Sequence, residues 1–137
     1  MTQGYSKPLP GIDGENKPFW DYCKKHELRM QKCLQCGTIR YPVSPICQNC
    51  LHMEFEWEKL SGKGKVYSFT IIRRASHPGF AGEVPYTVAI IELEEGTRLI
   101  SNVIDCKPED VWVEMPVEVV FEDINDEIAL PKFKPSE

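Results

Sequence analysis

Cys33-Leu34-Gln35-Cys36-Gly37 and Cys47-Gln48-Asn49-Cys50, with ten residues between Cys36 and Cys47, decide how the first half of this chain folds. Two residues inside each cysteine pair let both thiolates turn toward one ion, with backbone N–H groups aimed at the sulfurs. The glycine after Cys36 relieves the strain of the first such turn. Four thiolates complete a tetrahedral shell and leave no open position for water or substrate, so the expected site is structural. A ribbon of about 25 residues buries too little apolar surface to fold alone. Bound zinc supplies an apparent ~10–16 kcal/mol of folding free energy in such modules. The expected ligands are therefore Cys33, Cys36, Cys47 and Cys50, and the expected metal is zinc. Iron in a rubredoxin-like site stays open, because four-thiolate geometry does not separate the two.

Disulfide pairing is the competing reading of six cysteines. Met1-Thr2-Gln3-Gly4-Tyr5-Ser6-Lys7-Pro8 has no apolar stretch of the kind a secretory signal needs, so a reducing, cytoplasmic setting is expected. His52, close after Cys50, is expected at the surface, and Cys23 and Cys106 as small buried hydrophobes.

Outward from the cysteines, 137 residues allow one ordinary domain or two small modules and exclude a large multidomain enzyme. No apolar run approaches the roughly 18 residues of a membrane span. The formal net charge of -5 is unevenly placed. Residues 1–65 carry 10 Lys/Arg against 7 Asp/Glu, a net of +3, whereas residues 66–137 carry 6 against 14, a net of -8. That asymmetry suggests two modules.

The Pro- and Gly-bearing residues 1–16 read as an extended arm. Asn16 is the expected N-cap of a helix running through about Met30, with Pro18 in its first turn and Phe19, Tyr22, Cys23, His26 and Met30 on one face. After Gly62 and Gly64 the pattern changes to period two. Strands are expected at Val66–Arg73, Tyr86–Leu93, Arg98–Ile104, Met115–Glu122 and Ala129–Phe133. Glu94-Glu95-Gly96 reads as a hairpin turn, and Lys107–Val111 as a short helical turn. Tyr67, Phe69 and Tyr86 lie in apolar strand patterns and are expected in the core. The resulting fold is mainly β with an N-terminal helix: a zinc ribbon, then a five-stranded Greek-key barrel of the OB type. The expected division is an arm and helix at 1–30, the ribbon at 31–60 and the barrel at 61–137.

A zinc ribbon beside an OB barrel commonly binds single-stranded nucleic acid, the alternative function here. Phosphate contacts need clustered Lys/Arg, and the acidic barrel argues against them. Independent catalysis lacks support too, for the chain has no Gly-rich phosphate loop and no nucleophile elbow.

A wider set of segments carries a resemblance. Pro18-Phe19-Trp20 precedes the two cysteine pairs, and Pro42 and Pro45 lie between them. Trp57, Ser61-Gly62-Lys63-Gly64-Lys65-Val66-Tyr67-Ser68-Phe69-Thr70, Val84-Pro85-Tyr86-Thr87-Val88-Ala89, Glu95-Gly96-Thr97-Arg98-Leu99 and Leu130-Pro131-Lys132-Phe133 follow in order. Over nearly its whole length the chain resembles the acyl-CoA-associated OB-fold family with a rubredoxin-like zinc ribbon, known as domain of unknown function thirty-five. The resemblance implies an accessory protein, not an enzyme, that accompanies thiolases, hydroxymethylglutaryl-CoA synthases and related enzymes. Acyl-CoA is the ligand it implies. Arg73 and Arg74 suit its phosphates, and Phe80 in the Pro78–Gly82 loop suits the pantetheine arm. The competing reading pairs both arginines with the barrel's carboxylates.

Overall fold

A short 3-10 turn at Gly14–Asn16 runs straight into α1 (Lys17–Lys24), with Pro18 in the first turn where a missing N–H costs nothing. The structure, a computed structural model, describes residues 14–75 and 77–136. The expected arm lies outside them except for this turn. Asn16 has helical backbone angles and makes no capping bond through its side chain, so the cap expected of it is absent.

The helix stops at Lys24, six residues short of Met30. The N–H groups of Lys25 and Glu27 donate to the Tyr22 carbonyl, that of His26 donates to Cys23, and His26 takes a left-handed φ of 61°. The chain then reverses into β1 (Arg29–Cys33). Phe19, Cys23 and Met30 are all buried, the first two from the helix and Met30 from a strand opposite Glu58. Apolar spacing of three and four persists across that reversal, which is why it reads as one longer helix.

β1 is the middle strand of a three-stranded antiparallel sheet, with β2 (Ile39–Arg40) on one side and β3 (Phe55–Lys59) on the other. Five further strands close a barrel: β4 (Lys63–Ile72), β5 (Tyr86–Leu93), β6 (Arg98–Val103), β7 (Pro116–Asp123) and β8 (Ala129–Pro135). Their order around the barrel is β4-β5-β6-β8-β7. All neighbours are antiparallel except β6 and β8, which meet in parallel at Val103 and Phe133. That is the Greek-key closure of an OB barrel. The Glu94–Gly96 turn and a 3-10 turn at Pro108–Asp110 stand where expected.

Gly64 makes the closure possible. It pairs with Leu93 on β5 and Val117 on β7 at once, and an added Cβ would come within 2.5 Å of the Glu92 carbonyl oxygen. Inside the barrel Val66, Ala89, Ile91, Leu93, Leu99, Val103, Val117 and Phe133 are buried. Phe19, Cys23, Leu28, Met30 and Leu60 join the same cluster from the helix and ribbon. His26 stacks on Phe121 at 5.3 Å and reaches Asp123 at 3.1 Å, while Lys24 donates to the Asn125 carbonyl at 2.7 Å. Ribbon, helix and barrel therefore share one core.

Two placements differ from expectation. A bulge between Val66 and Ser68 puts one extra residue on β4, turning Tyr67 out of the barrel. Its ring is 46% exposed and lies under the Arg98 guanidinium at 3.8 Å, while Phe69 and Tyr86 are half-buried. Cys23 is fully buried, as expected, but Cys106 is only half-buried, packed against the core cluster. No helix among the described residues is long and apolar enough to cross a membrane.

Because the atoms that crowd Gly64 are backbone, they cannot swing aside. Gly64→Ala is expected to destabilise the chain by about 1–3 kcal/mol in urea unfolding, and an unchanged midpoint would contradict the close approach.

Candidate metal centre and the arginine end of the barrel

Both cysteine pairs fold through the same local turn. In the first, the Cys33 N–H donates to the Thr38 carbonyl at 2.9 Å and the Gly37 N–H to the Cys33 carbonyl at 3.0 Å. In the second, the Cys47 N–H donates to His52 and the Leu51 N–H to Cys47, both at 2.9 Å. The residue after each second cysteine is left-handed: Gly37 at φ 79° and Leu51 at φ 67°. Glycine occupies the first without strain, whereas Leu51 carries a left-handed penalty of about 1–2 kcal/mol. A bond from the Leu34 N–H to the Glu54 carbonyl ties the first turn to the segment following the second.

These turns bring four sulfurs together. Cys33 Sγ lies 3.5 Å from Cys50 Sγ and Cys36 Sγ 3.6 Å from Cys47 Sγ, with all four within 4.8 Å of one another. Tetrahedral zinc–thiolate bonds of about 2.3 Å require sulfur–sulfur edges of about 3.8 Å, so the cluster fits such an ion. Polar neighbours support thiolates. Asn49 Nδ2 and Thr38 Oγ1 lie 3.5 Å and 3.1 Å from Cys36 Sγ, and the Gln35 N–H donates to Cys33 Sγ at 3.4 Å.

The titration behaviour points the same way. Asn49 and then Thr38 hold Cys36 down to about 5, and the Cys36 backbone N–H lowers Cys33. The His52 N–H favours the Cys50 thiolate, but desolvation and three neighbouring sulfurs push Cys50 up to about 12. A coordinated divalent cation favours the thiolate form of every ligand, Cys50 included. His52 turns instead toward Glu54 at 3.8 Å and stays out of the cluster. Asn49 and Thr38 were not singled out as support from sequence, although Asn49 stands inside the second CxxC pair.

At the far end of β4, Arg73 and Arg74 are exposed. Phe80 stacks on Tyr86 at 5.2 Å, and Tyr86 pairs with Ile72. The structure thus brings both arginines and the Phe80 wall to one end of the barrel. The pairing of these arginines with barrel carboxylates does not occur among the described residues. Lys65, Arg98, Lys132 and Lys134 are the cations that find Glu114, Glu92, Glu122 and Glu118. A cleft of about 480 Å³ at the opposite end, beside Lys63 and Lys65, does not include the arginines.

Family models for the ChsH2 rubredoxin-like zinc ribbon domain and the ChsH2 C-terminal OB-fold domain match residues 20–55 and 57–122. A probable enoyl-CoA hydratase alpha subunit of Thermomonospora curvata is 35% identical over 95% of this chain, which spans 40% of that subunit. A DUF35 domain-containing scaffold protein of Methanocaldococcus jannaschii is 47% identical over 77% of this chain and 79% of its own length. The benzoylsuccinyl-CoA thiolase subunit BbsA of Thauera aromatica is 34% identical over 55% of this chain and 50% of its own. Among solved structures, the Ltp2-ChsH2(DUF35) aldolase superposes with a TM-score of 0.83 at 35% identity, covering 93% of this chain and 98% of that one.

The two left-handed turns respond oppositely to substitution. Gly37→Ala is expected to cost about 1 kcal/mol by strain alone, since nothing lies within 4 Å of an added Cβ. Leu51→Gly is expected to stabilise by under about 1 kcal/mol, strain relief being offset by glycine's chain entropy. Thermal unfolding of the metal-loaded variants checks both signs. Cys23 is fully buried and burial raises it to about 12, while Cys106, raised by burial and by Asp110, is half-exposed, so alkylation of the native metal-loaded protein at pH 8 should label Cys106 slowly and spare Cys23.

Proposed function

This chain belongs to the DUF35 family of ChsH2-type zinc-ribbon and OB-fold proteins, and from that premise we propose that it is a non-catalytic accessory subunit that docks on a thiolase- or aldolase-type acyl-CoA enzyme and helps hold the acyl-CoA. The relatives' names support the accessory part, since they describe scaffold proteins and subunits of acyl-CoA enzymes. A hydroxymethylglutaryl-CoA synthase-like enzyme belongs to the same class of partner. Cys33, Cys36, Cys47 and Cys50 are the zinc ligands in this reading, and zinc supplies folding free energy, not chemistry. The working division is an arm and helix at 1–30, a ribbon at 31–60 and a barrel at 61–137.

The observation that carries the ligand half is the Arg73–Arg74 pair. Both arginines are exposed and adjacent and have no ion pair among the described residues, as Lys63 and Lys107 have none, whereas Lys65, Arg98, Lys132 and Lys134 are engaged by carboxylates. Guanidinium groups bind phosphate through two parallel hydrogen bonds, and the Phe80–Tyr86 stack beside them offers a flat apolar wall for the pantetheine arm. An open rim of this kind holds a long ligand along one side only, and the partner enzyme would cover the other.

The nucleic-acid alternative draws on the exposed Tyr67. Arg98 covers that ring and is itself paired with Glu92 at 3.0 Å, so neither a free stacking platform nor a free cation remains there.

Titration calorimetry with acetyl-CoA, on the chain together with its co-purifying enzyme, tests the ligand site. Arg73→Glu with Arg74→Glu is expected to weaken binding at least about tenfold, the loss of one to two charge-assisted contacts. Unchanged affinity would remove these residues from the site. Steeply salt-dependent binding to single-stranded RNA would favour the alternative.

A further inference from the structure

Arg40 is the largest fully buried side chain among the described residues, 2% exposed on the two-residue strand β2. A guanidinium keeps its proton under all ordinary conditions, so this is a permanent buried cation. Its partners fall short of what such a charge needs. Nη2 donates to the Met53 carbonyl at 3.3 Å, and the group lies over the Phe55 ring at 4.9 Å. Nε and Nη1 have no partner among the described residues, nor does the group make an ion pair. Gln31, directly opposite on β1, has its side-chain oxygen occupied by the Ser44 N–H at 2.8 Å. Charges are left in protein interiors only when something offsets them.

Strand register shows where that offset lies. Gln31 pairs with Arg40, so the two share a face of the sheet; Cys33, two residues on, shares it as well. Phe55 pairs with Cys33 on the same face, and it is the Phe55 ring that the guanidinium covers. Met53, its one hydrogen-bond acceptor, is the third residue after Cys50. Four thiolates around one divalent cation carry two negative charges in excess.

From this the geometry points to Arg40 as the countercharge and positioning residue of the four-cysteine metal centre. It shares the sheet face that carries Cys33 and ties β2 to the segment leaving the second cysteine pair through the Met53 carbonyl. The thiolates offset a cation that would otherwise be stranded, and the cation favours the ionised, metal-bound form of the thiolates. This rests on the metal centre alone and is independent of any partner or acyl-CoA.

The test compares Arg40→Met, Arg40→Gln and Arg40→Lys in the full chain, with two readouts. Zinc affinity is measured by competition with a chelator, and the thiolate-to-metal charge-transfer band is recorded after cobalt substitution. Met and Gln remove the charge and are expected to weaken zinc binding about 10–100-fold, the range for outer-shell partners. Their charge-transfer band should move to lower energy, because thiolate electrons are less stabilised without the cation. Lys keeps the charge and should stay closer to the parent in both. Parent-like zinc affinity with an unshifted band in Met or Gln would overturn the assignment. Equal weakening in Lys and Gln without a band shift would also overturn it, leaving Arg40 a packing residue. Should Arg40→Met fail to fold, the Lys and Gln pair still decides.

Discussion

Four sulfurs drawn within 4.8 Å of one another are the constraint on which the rest of the structure depends. Gathering four thiolates at this spacing sets like charges side by side, and a divalent cation among them offsets that repulsion. The ribbon's own apolar content is thin. Leu34, Ile46, Leu51 and Met53 around the cysteines are exposed, not packed. A metal ion is what makes this short, loop-rich segment a folded unit, and Leu51's left-handed backbone is a strain that only such an over-determined turn retains.

The ordered ribbon in turn presents β1 to the helix and the barrel. Met30 and Leu60, at the ribbon's inner edge, enter the same apolar cluster as Phe19 and Cys23 from α1 and Val66 and Phe133 from the barrel. Burial across that junction, not the exposed pairs Lys24–Asp123 and His26–Asp123, holds the parts together, since surface pairs contribute about 0–1 kcal/mol. On the barrel carboxylates outnumber cations, and Lys65, Arg98, Lys132 and Lys134 are taken up locally. Among the described residues of the barrel Arg73, Arg74, Lys63 and Lys107 are left without an ion pair, and of these only the two arginines stand side by side.

Much of this was legible in the residues. Paired CxxC spacing is a local code, so the metal cluster could be read directly. The five barrel strands could be read from period-two patterning, with shifts of at most three residues at their ends. Features set by tertiary geometry could not be read. The end of α1 depends on a reversal at His26 that three-and-four spacing conceals, and Tyr67 turns outward because of a bulge that alternation does not announce. Arg40 looked like any ribbon arginine, because its burial results from strands that converge only around the metal. Whether Arg73 and Arg74 meet a barrel carboxylate depends on where the loop after β4 runs, which residue spacing does not encode.

An accessory role makes a demand on how the protein exists in its own cell. Native mass spectrometry of the chain, purified gently from that source, measures this directly. The expected result is a complex in which the zinc-loaded chain is held with a thiolase- or aldolase-class subunit. The zinc-loaded chain running alone under the same conditions would contradict the accessory role.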